Sequence, residues 1–375
     1  MSTSAARKIL VLYGTRPEAI KMAPVVAALR RRQDRFAVTV ATTAQHREML
    51  DPVQELFGLR PDLDLDLMRP DQSPNELASR AFAALDGPLR DLAPDWLLVQ
   101  GDTTTAMVGA LAAFHRRVRV GHVEAGLRTG DLAQPFPEEA NRRAIDLVAE
   151  ALFAPTARAR EALLREGVPA ERVHLTGNTG IDALLLAAAR VPAEPRREEV
   201  LITVHRRESF GLPLAGIFAA LRDLAETFPA VRFVYPVHPN PHVLLPAREA
   251  LSGLANLELH PPFGYLELVR RLRSARLVLT DSGGIQEEAP TFGTPVLVLR
   301  EKTERPEGIA AGVARLAGTD RRKIVAAASL LLTDEAAWRA MANAANPYGD
   351  GRAAERIAGI LAGEEVEPFI TTTSI

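Results

Sequence analysis

The sequence predicts an α/β protein built from two doubly wound, Rossmann-like domains. Short β-rich runs such as KILVLYG and RLVLTDSGG are apolar almost throughout. That is the mark of parallel strands covered on both faces. Longer segments of helical period separate them. With 375 residues the chain exceeds one ordinary core, so two domains of roughly 150 to 200 residues are expected.

In chain order the first half offers strands at KILVLYG, AVTVATT, DWLLVQGD, VRVGHVEAG and LFAPT. Between them PEAIKMAPVVAALRRR, SPNELASRAFAALDGPLRDL and TTAMVGALAAFHRR carry helical spacing. The second half repeats the scheme with EVLITVHRR, VRFVYPVHPN, LELHPP, RLVLTDSGG and PVLVLR. A helix followed by a connection rich in Pro and charge, TGNTGIDALLLAAARVPAEPRREEV, marks the boundary. The expected division is an N-terminal domain at 1–178 and a C-terminal domain at 179–351. A last helix at about 352–364 returns to the first domain, and 365–375 forms a loose tail.

Composition narrows the function classes. A formal net charge of -2 gives no general field for nucleic acid or an anionic membrane, so cations must act locally. With no Cys, disulfides, thiolate zinc sites and thiol nucleophiles are excluded together. Only six apolar residues follow Lys8 near the start, too few for a secretory leader, and no later stretch approaches a membrane span. A cytoplasmic protein is expected.

In open α/β sheets ligands bind beyond the carboxyl ends of the strands, so the residues that follow each strand are the candidates. After the first, YGTRPEAIK provides Gly14 for a tight turn, Thr15 as cap, Pro17 in the first helical turn, and the cations Arg16 and Lys21. An ordinary capped helix with solvated charges would read the same way. In LTDSGGIQEEAP, Ser282, Gly283 and Gly284 put backbone N–H groups at a helix start with no bulky side chain in the way of a phosphate. The pattern is neither a Walker loop nor the dinucleotide G-x-G-x-x-G. Glu287 and Glu288 lie one turn on, placed either to accept from ribose hydroxyls or merely to suit the helix dipole. Carboxylates also stand at strand ends: Asp102, Glu124, and Glu138 in the loop GDLAQPFPEEANRR. Adjacent strands would bring Asp102 and Glu124 together for proton transfer. His205, beside Arg206 and Arg207, ends the first strand of the second half, and Arg305 adds a further cation for a diphosphate.

The motifs GTRPEAIKMAPV, TAQHREMLD, GDTTTAMVGALAAF, GHVEAGLRTGD, PFPEEANRR, LTGNTGIDAL, HRRESFG, LTDSGGIQEEAP, LVLREKTERPEGI and NPYGDGRAAERI follow one another from about residue 14 to 357. In order and spacing they resemble the non-hydrolysing UDP-N-acetylglucosamine 2-epimerases. The resemblance implies a glycosyltransferase-B-like fold, two Rossmann-like domains facing across a cleft. It implies interconversion of UDP-GlcNAc and UDP-ManNAc through elimination of UDP to a 2-acetamidoglucal and re-addition, without metal or nicotinamide cofactor. It also implies a homodimer and supply of ManNAc for bacterial surface polysaccharide.

By the same resemblance, Asp102, Glu124 and Glu138 are the acid/base residues and His205 assists at the leaving diphosphate. Arg16 and Lys21 contact substrate; Ser282, Gly283 and Gly284 form the diphosphate turn; Glu288 meets the ribose and Arg305 the later anionic group. The uracil shelf aligns with Phe263 and Leu268, where some relatives carry a glutamine and an aromatic. A second UDP-GlcNAc acting as activator would meet Gln45, His46, Arg207 and His238, although MRPDQS has Asp71 where such members carry arginine. A hydrolysing epimerase, a glycosyltransferase and a nucleotide-sugar sensor are the alternatives. The intact acidic and HRRE motifs favour the non-hydrolysing epimerase.

Overall fold

The computed structural model describes residues 6–44, 47–69, 72–206 and 209–370. The chain divides into two compact units, one made of the residues up to Ala183 with Gly349–Ile370, the other of Leu184–Tyr348. The first unit holds β1 (Arg7–Tyr13), β2 (Phe36–Thr42), β3 (Leu63–Asp64), β4 (Trp96–Gln100), β5 (Arg119–Val123), β6 (Ala151–Ala154) and β7 (Val173–Leu175). They form one parallel sheet in the order β3-β2-β1-β4-β5-β6-β7. The second unit holds β8 (Glu199–Thr203), β9 (Arg232–Pro236), β10 (Leu257–His260), β11 (Leu277–Thr280), β12 (Val296–Val298) and β13 (Ala314–Leu316). Its parallel order is β10-β9-β8-β11-β12-β13. Each sheet reverses direction beside its first strand, between β1 and β4 and between β8 and β11, which is the Rossmann arrangement. The strands β3, β7 and β13 have two or three residues each, too few to give an apolar run in the sequence.

Alternation along the central strands explains why these runs are apolar throughout. Ile9, Val11 and Tyr13 of β1 pack with the helices Arg16–Arg30 and Ala353–Ala362, while Leu10 and Leu12 pack into the opposite layer with Pro74–Leu92 and Thr104–His115. With both faces covered, nearly every position is apolar, and a polar residue such as His122 is buried with its own partners. The second unit repeats this, Val200 and Ile202 on one side and Leu201 on the other.

Local chemistry fixes where β1 gives way to its helix. The Thr15 side chain accepts from Glu18 N–H, and the Glu18 carboxylate accepts from the N–H of Thr15, a capping box with Pro17 in the first turn. Gly14 is required by closeness of approach: a Cβ there would lie 2.4 Å from Thr43 Oγ1 and 2.7 Å from Thr105 Oγ1.

The division between units falls after Ala183, inside the helix Thr179–Ala188, rather than ahead of it at 178/179. The first turn of that helix is tied into the first unit. Asp182 accepts from the N–H groups of Ala353 (3.2 Å) and Ala354 (2.8 Å), capping the helix Ala353–Ala362.

The tail is not loose over its described part, contrary to the sequence reading. Phe369 is only 4% exposed, and its N–H donates to Leu175 O at 2.9 Å. Arg356 Nε donates to Glu367 O at 3.0 Å, and its guanidinium carbon lies 5.8 Å from the centre of the Phe369 ring. β7 is the last strand of its sheet, and its open carbonyls are covered by this segment. One aromatic anchor outweighs the polar letters around it. Phe369→Ala is therefore expected to cost about 3 kcal/mol, seen as a lower midpoint in chemical denaturation; an unchanged midpoint would mean that the segment does not hold the edge.

Candidate functional site

The acids of the first unit stand at the carboxyl ends of neighbouring strands. β4 and β5 pair with Gln100 opposite Val123, so Asp102 and Glu124 follow adjacent strand ends. Each carries its own cation. Lys21 Nζ lies 2.5 Å from Glu124 Oε2, and Arg142 Nη2 donates to Asp102 Oδ2 at 2.5 Å. Gln100 Nε2 also donates to Glu124 Oε2, and Asn141 Nδ2 donates to the Asp102 carbonyl at 2.9 Å. Glu124 has φ of 69°, in the left-handed region that a side chain seldom adopts, and both its N–H and that of Ala125 donate to Phe153 O. Such a conformation costs on the order of 1 kcal/mol or more and persists where surrounding bonds impose it.

Glu138 is not in a loop, as the sequence reading had it, but is the first residue of the helix Glu138–Val148. Pro137 precedes it, and negative charge in a first turn suits the helix dipole. Its neighbour Glu139 is fully buried and accepts from the N–H groups of Thr129 and Gly130 and from the guanidinium groups of Arg142 and Arg143. Glu139 thus ties down the preceding loop, and Glu138 is half-buried at its edge. Asp102, Glu138, Asn141, Thr15 and Thr103 line one cavity of about 310 Å³.

Behind that cavity lie groups the sequence reading missed. Glu18, 2% exposed, accepts from Gly14 N–H (3.1 Å), from Thr15 N–H and Oγ1 (both 2.7 Å) and from Thr103 Oγ1 (2.7 Å). Burial pushes its pKa up, against the pull of these donors. It joins the two strand-end turns on which Arg16 and Asp102 sit. His122 is wholly buried in β5, with Nδ1 2.6 Å from Asp146 Oδ1 and Nε2 2.7 Å from Gly101 O. Burial alone would raise the pKa of Asp146, but His122 and Arg128 hold it low. The turn that carries Asp102 is thereby held from below. A histidine in the middle of the run VRVGHV was the available signal. Arg16, at the start of its helix, makes no hydrogen bond or ion pair with the other described residues.

In the second unit β8 and β11 are paired, Thr203 opposite Thr280, so His205 and Asp281 follow adjacent strand ends. Ser282 stands at the N-cap position of the short helix Gly283–Glu288 without a side-chain capping bond. Its N–H donates to Thr280 Oγ1 at 2.9 Å, which leaves its hydroxyl as the polar group it offers at the turn. The N–H groups of Gly283 and Gly284 open the helix and carry its positive end. A Cβ on Gly283 would lie 3.5 Å from Nη2 of both Arg206 and Arg305, so two guanidinium groups flank the turn. Arg305 Nε binds Glu287 Oε1 at 2.5 Å, while Arg206 and Arg300 share Glu304 at 3.5 and 3.3 Å.

Glu288 is half-buried at the far end of the same helix. Phe263 and Leu268 are half-buried against the cluster that includes Ile285, which places them beside that helix. His238 stacks on His205, with ring centres 5.6 Å apart and planes at 22°. Of the other regulatory candidates, Gln45, His46 and Arg207 lie outside the described residues, as does Asp71. Among the described residues no helix is long and apolar enough to cross a membrane.

Fold and site together define a protein of two Rossmann-like units, one bearing carboxylates at the ends of the adjacent strands β4 and β5 and the other an arginine-flanked helix start. The family model for UDP-N-acetylglucosamine 2-epimerase matches residues 27–362. The UDP-N-acetylglucosamine 2-epimerase of Yersinia pestis is 50% identical over 374 residues, covering 96% of this chain and 99% of its own. The chain belongs to the UDP-N-acetylglucosamine 2-epimerase family. The crystal structure of the Neisseria meningitidis UDP-GlcNAc 2-epimerase bound to UDP-GlcNAc is similar, with a TM-score of 0.87 and 42% identity over 95% of this chain and 100% of that one. MurG of Acinetobacter baumannii, at 14% identity and a TM-score of 0.63 over 96% of this chain and 99% of its own, shares the fold alone.

The Lys21–Glu124 pair has side chains 21% and 6% exposed, so removal of the cation leaves a nearly buried charge. Lys21→Met is expected to destabilise the protein by about 2–3 kcal/mol, and Glu124→Gln in addition to recover most of that. A double-mutant cycle by urea unfolding measures it; additive losses would show that the two groups act independently.

Proposed function

We propose that this protein interconverts UDP-N-acetylglucosamine and UDP-N-acetylmannosamine by eliminating UDP to a 2-acetamidoglucal and adding it back with inversion at C2. The observation that carries the reading is the meeting of Asp102 and Glu138 in one cavity, with Glu124 on the strand next to that of Asp102. The C2 proton has no neighbouring ketone to acidify it, so its removal depends on departure of the anionic diphosphate from C1. Fixed positive charge assists that departure. Arg206, Arg305, the helix start at Gly283 and His205 supply it.

Inversion requires one group to remove the proton and another to deliver it to the opposite face. Asp102, Glu124 and Glu138 are the acid/base set, with Arg142 bonded to the first and Lys21 to the second. Arg16 and Lys21 contact the sugar nucleotide; Ser282, Gly283, Gly284 and Arg305 hold the diphosphate, Glu288 the ribose, and Phe263 and Leu268 the uracil. UDP-GlcNAc and UDP-ManNAc are the partners, in a cytoplasmic homodimer that supplies ManNAc for surface polysaccharide. A second UDP-GlcNAc acts as activator. The contact between His238 and His205 supports this last point, because a ligand on one ring would be felt by the other.

Incubation with UDP-GlcNAc in deuterated water is expected to give UDP-ManNAc with deuterium at C2, followed by NMR. Asp102→Asn is expected to lower turnover at least ~10²-fold while UDP binding survives. Undiminished turnover would remove Asp102 from the mechanism, and stoichiometric free UDP would point to hydrolysis instead. Activation is tested by the rate from UDP-ManNAc alone: stimulation by trace UDP-GlcNAc is expected, and hyperbolic kinetics without it would exclude a regulatory site.

A further inference from the structure

Asp281 ends β11 directly before the Ser282 turn and is wholly buried. Its Oδ2 accepts from the backbone N–H groups of His205 at 2.9 Å and Arg206 at 2.8 Å. Its Oδ1 is buried and makes no hydrogen bond, yet lies 3.8 Å from His205 Nδ1. The His205 side chain is 42% exposed, so a buried acid stands behind a ring whose other side is open. One carboxylate oxygen is spent on the loop and the other is left facing the imidazole.

We infer that Asp281 is the positioning residue of His205, accepting Nδ1–H so that the ring presents Nε2 outward and stabilising the imidazolium that meets an incoming diphosphate. A small rotation of the ring turns the 3.8 Å approach into a hydrogen bond. With Nδ1–H so held, Nε2 is the atom that takes a proton, and a doubly protonated ring can donate to a phosphate oxygen as the C1–O bond breaks and its electron pair leaves on the diphosphate. Re-addition reverses the transfer, so the ring ends each cycle as it began. The inference rests on the epimerase reading for that step only.

The groups facing His205 act in opposite senses. Partial burial draws its pKa down, the charge of Asp281 raises it, and His238 and Arg206 lower it further. Tyr235, whose hydroxyl donates to Val204 O at 2.6 Å beside the ring, stays protonated because burial and Asp281 both raise its pKa. His238 Nδ1 accepts from Asn240 N–H at 3.1 Å. Asp281 is thus the one anion among these groups that favours the imidazolium.

Asp281→Asn tests this, because its amide oxygen can still accept from the two backbone N–H groups while its NH₂ faces Nδ1 and imposes the opposite tautomer. With the anion gone the imidazolium forms only at lower pH. In the full-length protein with UDP-GlcNAc, kcat is expected to fall on the order of 10²-fold near about pH 8, and the deficit to shrink as pH is lowered, with KM little changed. In the wild-type protein, ¹⁵N NMR of labelled histidine is expected to show Nδ1 of His205 protonated and Nε2 gaining a proton when UDP is added. A variant with wild-type kcat and pH profile, or an unprotonated Nδ1 in the native protein, overturns the inference. The NMR result decides it if the variant does not fold. If the wild-type protein does not epimerise, the proposed function fails, and proton uptake by His205 on UDP binding still tests the role of Asp281.

Discussion

Everything in this molecule depends on a property of parallel sheets: all strands of a sheet end at the same side, and the backbone groups there must find partners beyond the sheet. Where the strand order reverses, the connections leave in opposite directions and the strand ends stay open. In the first unit that place lies between β1 and β4, in the second between β8 and β11. Gly14, Arg16 and Asp102 follow the first pair, and His205 and Asp281 the second. Two sheets of the same winding therefore offer two equivalent places, and the side chains make them different.

That difference is one of charge. At the first place, carboxylates predominate, each restrained by a cation or an amide: Glu124 by Lys21 and Gln100, Asp102 by Arg142 and Asn141. At the second, Arg206 and Arg305 flank a helix start, with Glu304 and Glu287 as their partners.

A second layer of charge is entirely buried. Glu18, Glu139, Asp146 and Asp281 have side chains closed off from solvent and accept from backbone N–H groups, hydroxyls, histidine or arginine. Burial of an unsatisfied carboxylate is costly, and each has donors on at least one oxygen, with only the Oδ1 of Asp281 among these four acids left facing His205 without a hydrogen bond. Several of these donors belong to the turns that follow the strand ends. The precision of the site is set by these second acids, as expected of a preorganised centre.

The sequence by itself determined the winding of the fold, because runs such as the ILVLY of KILVLYG and the LVL of RLVLTDSGG are continuously apolar only when both faces of a strand are covered. It also marked the strand ends, where Asp102, Glu124, His205 and the Ser282 turn break those runs, and its motifs placed the chain in its family. What it could not show was pairing between distant residues. That Glu138 opens a helix while Glu139 is the buried tie, that Ser282 N–H is already occupied by Thr280, that Phe369 seals the edge at β7, and that Asp281 stands behind His205 follow from contacts between segments far apart in the chain. Adjacent glutamates look alike as letters, and only tertiary packing decides which is buried, because burial depends on the neighbours that folding brings to each.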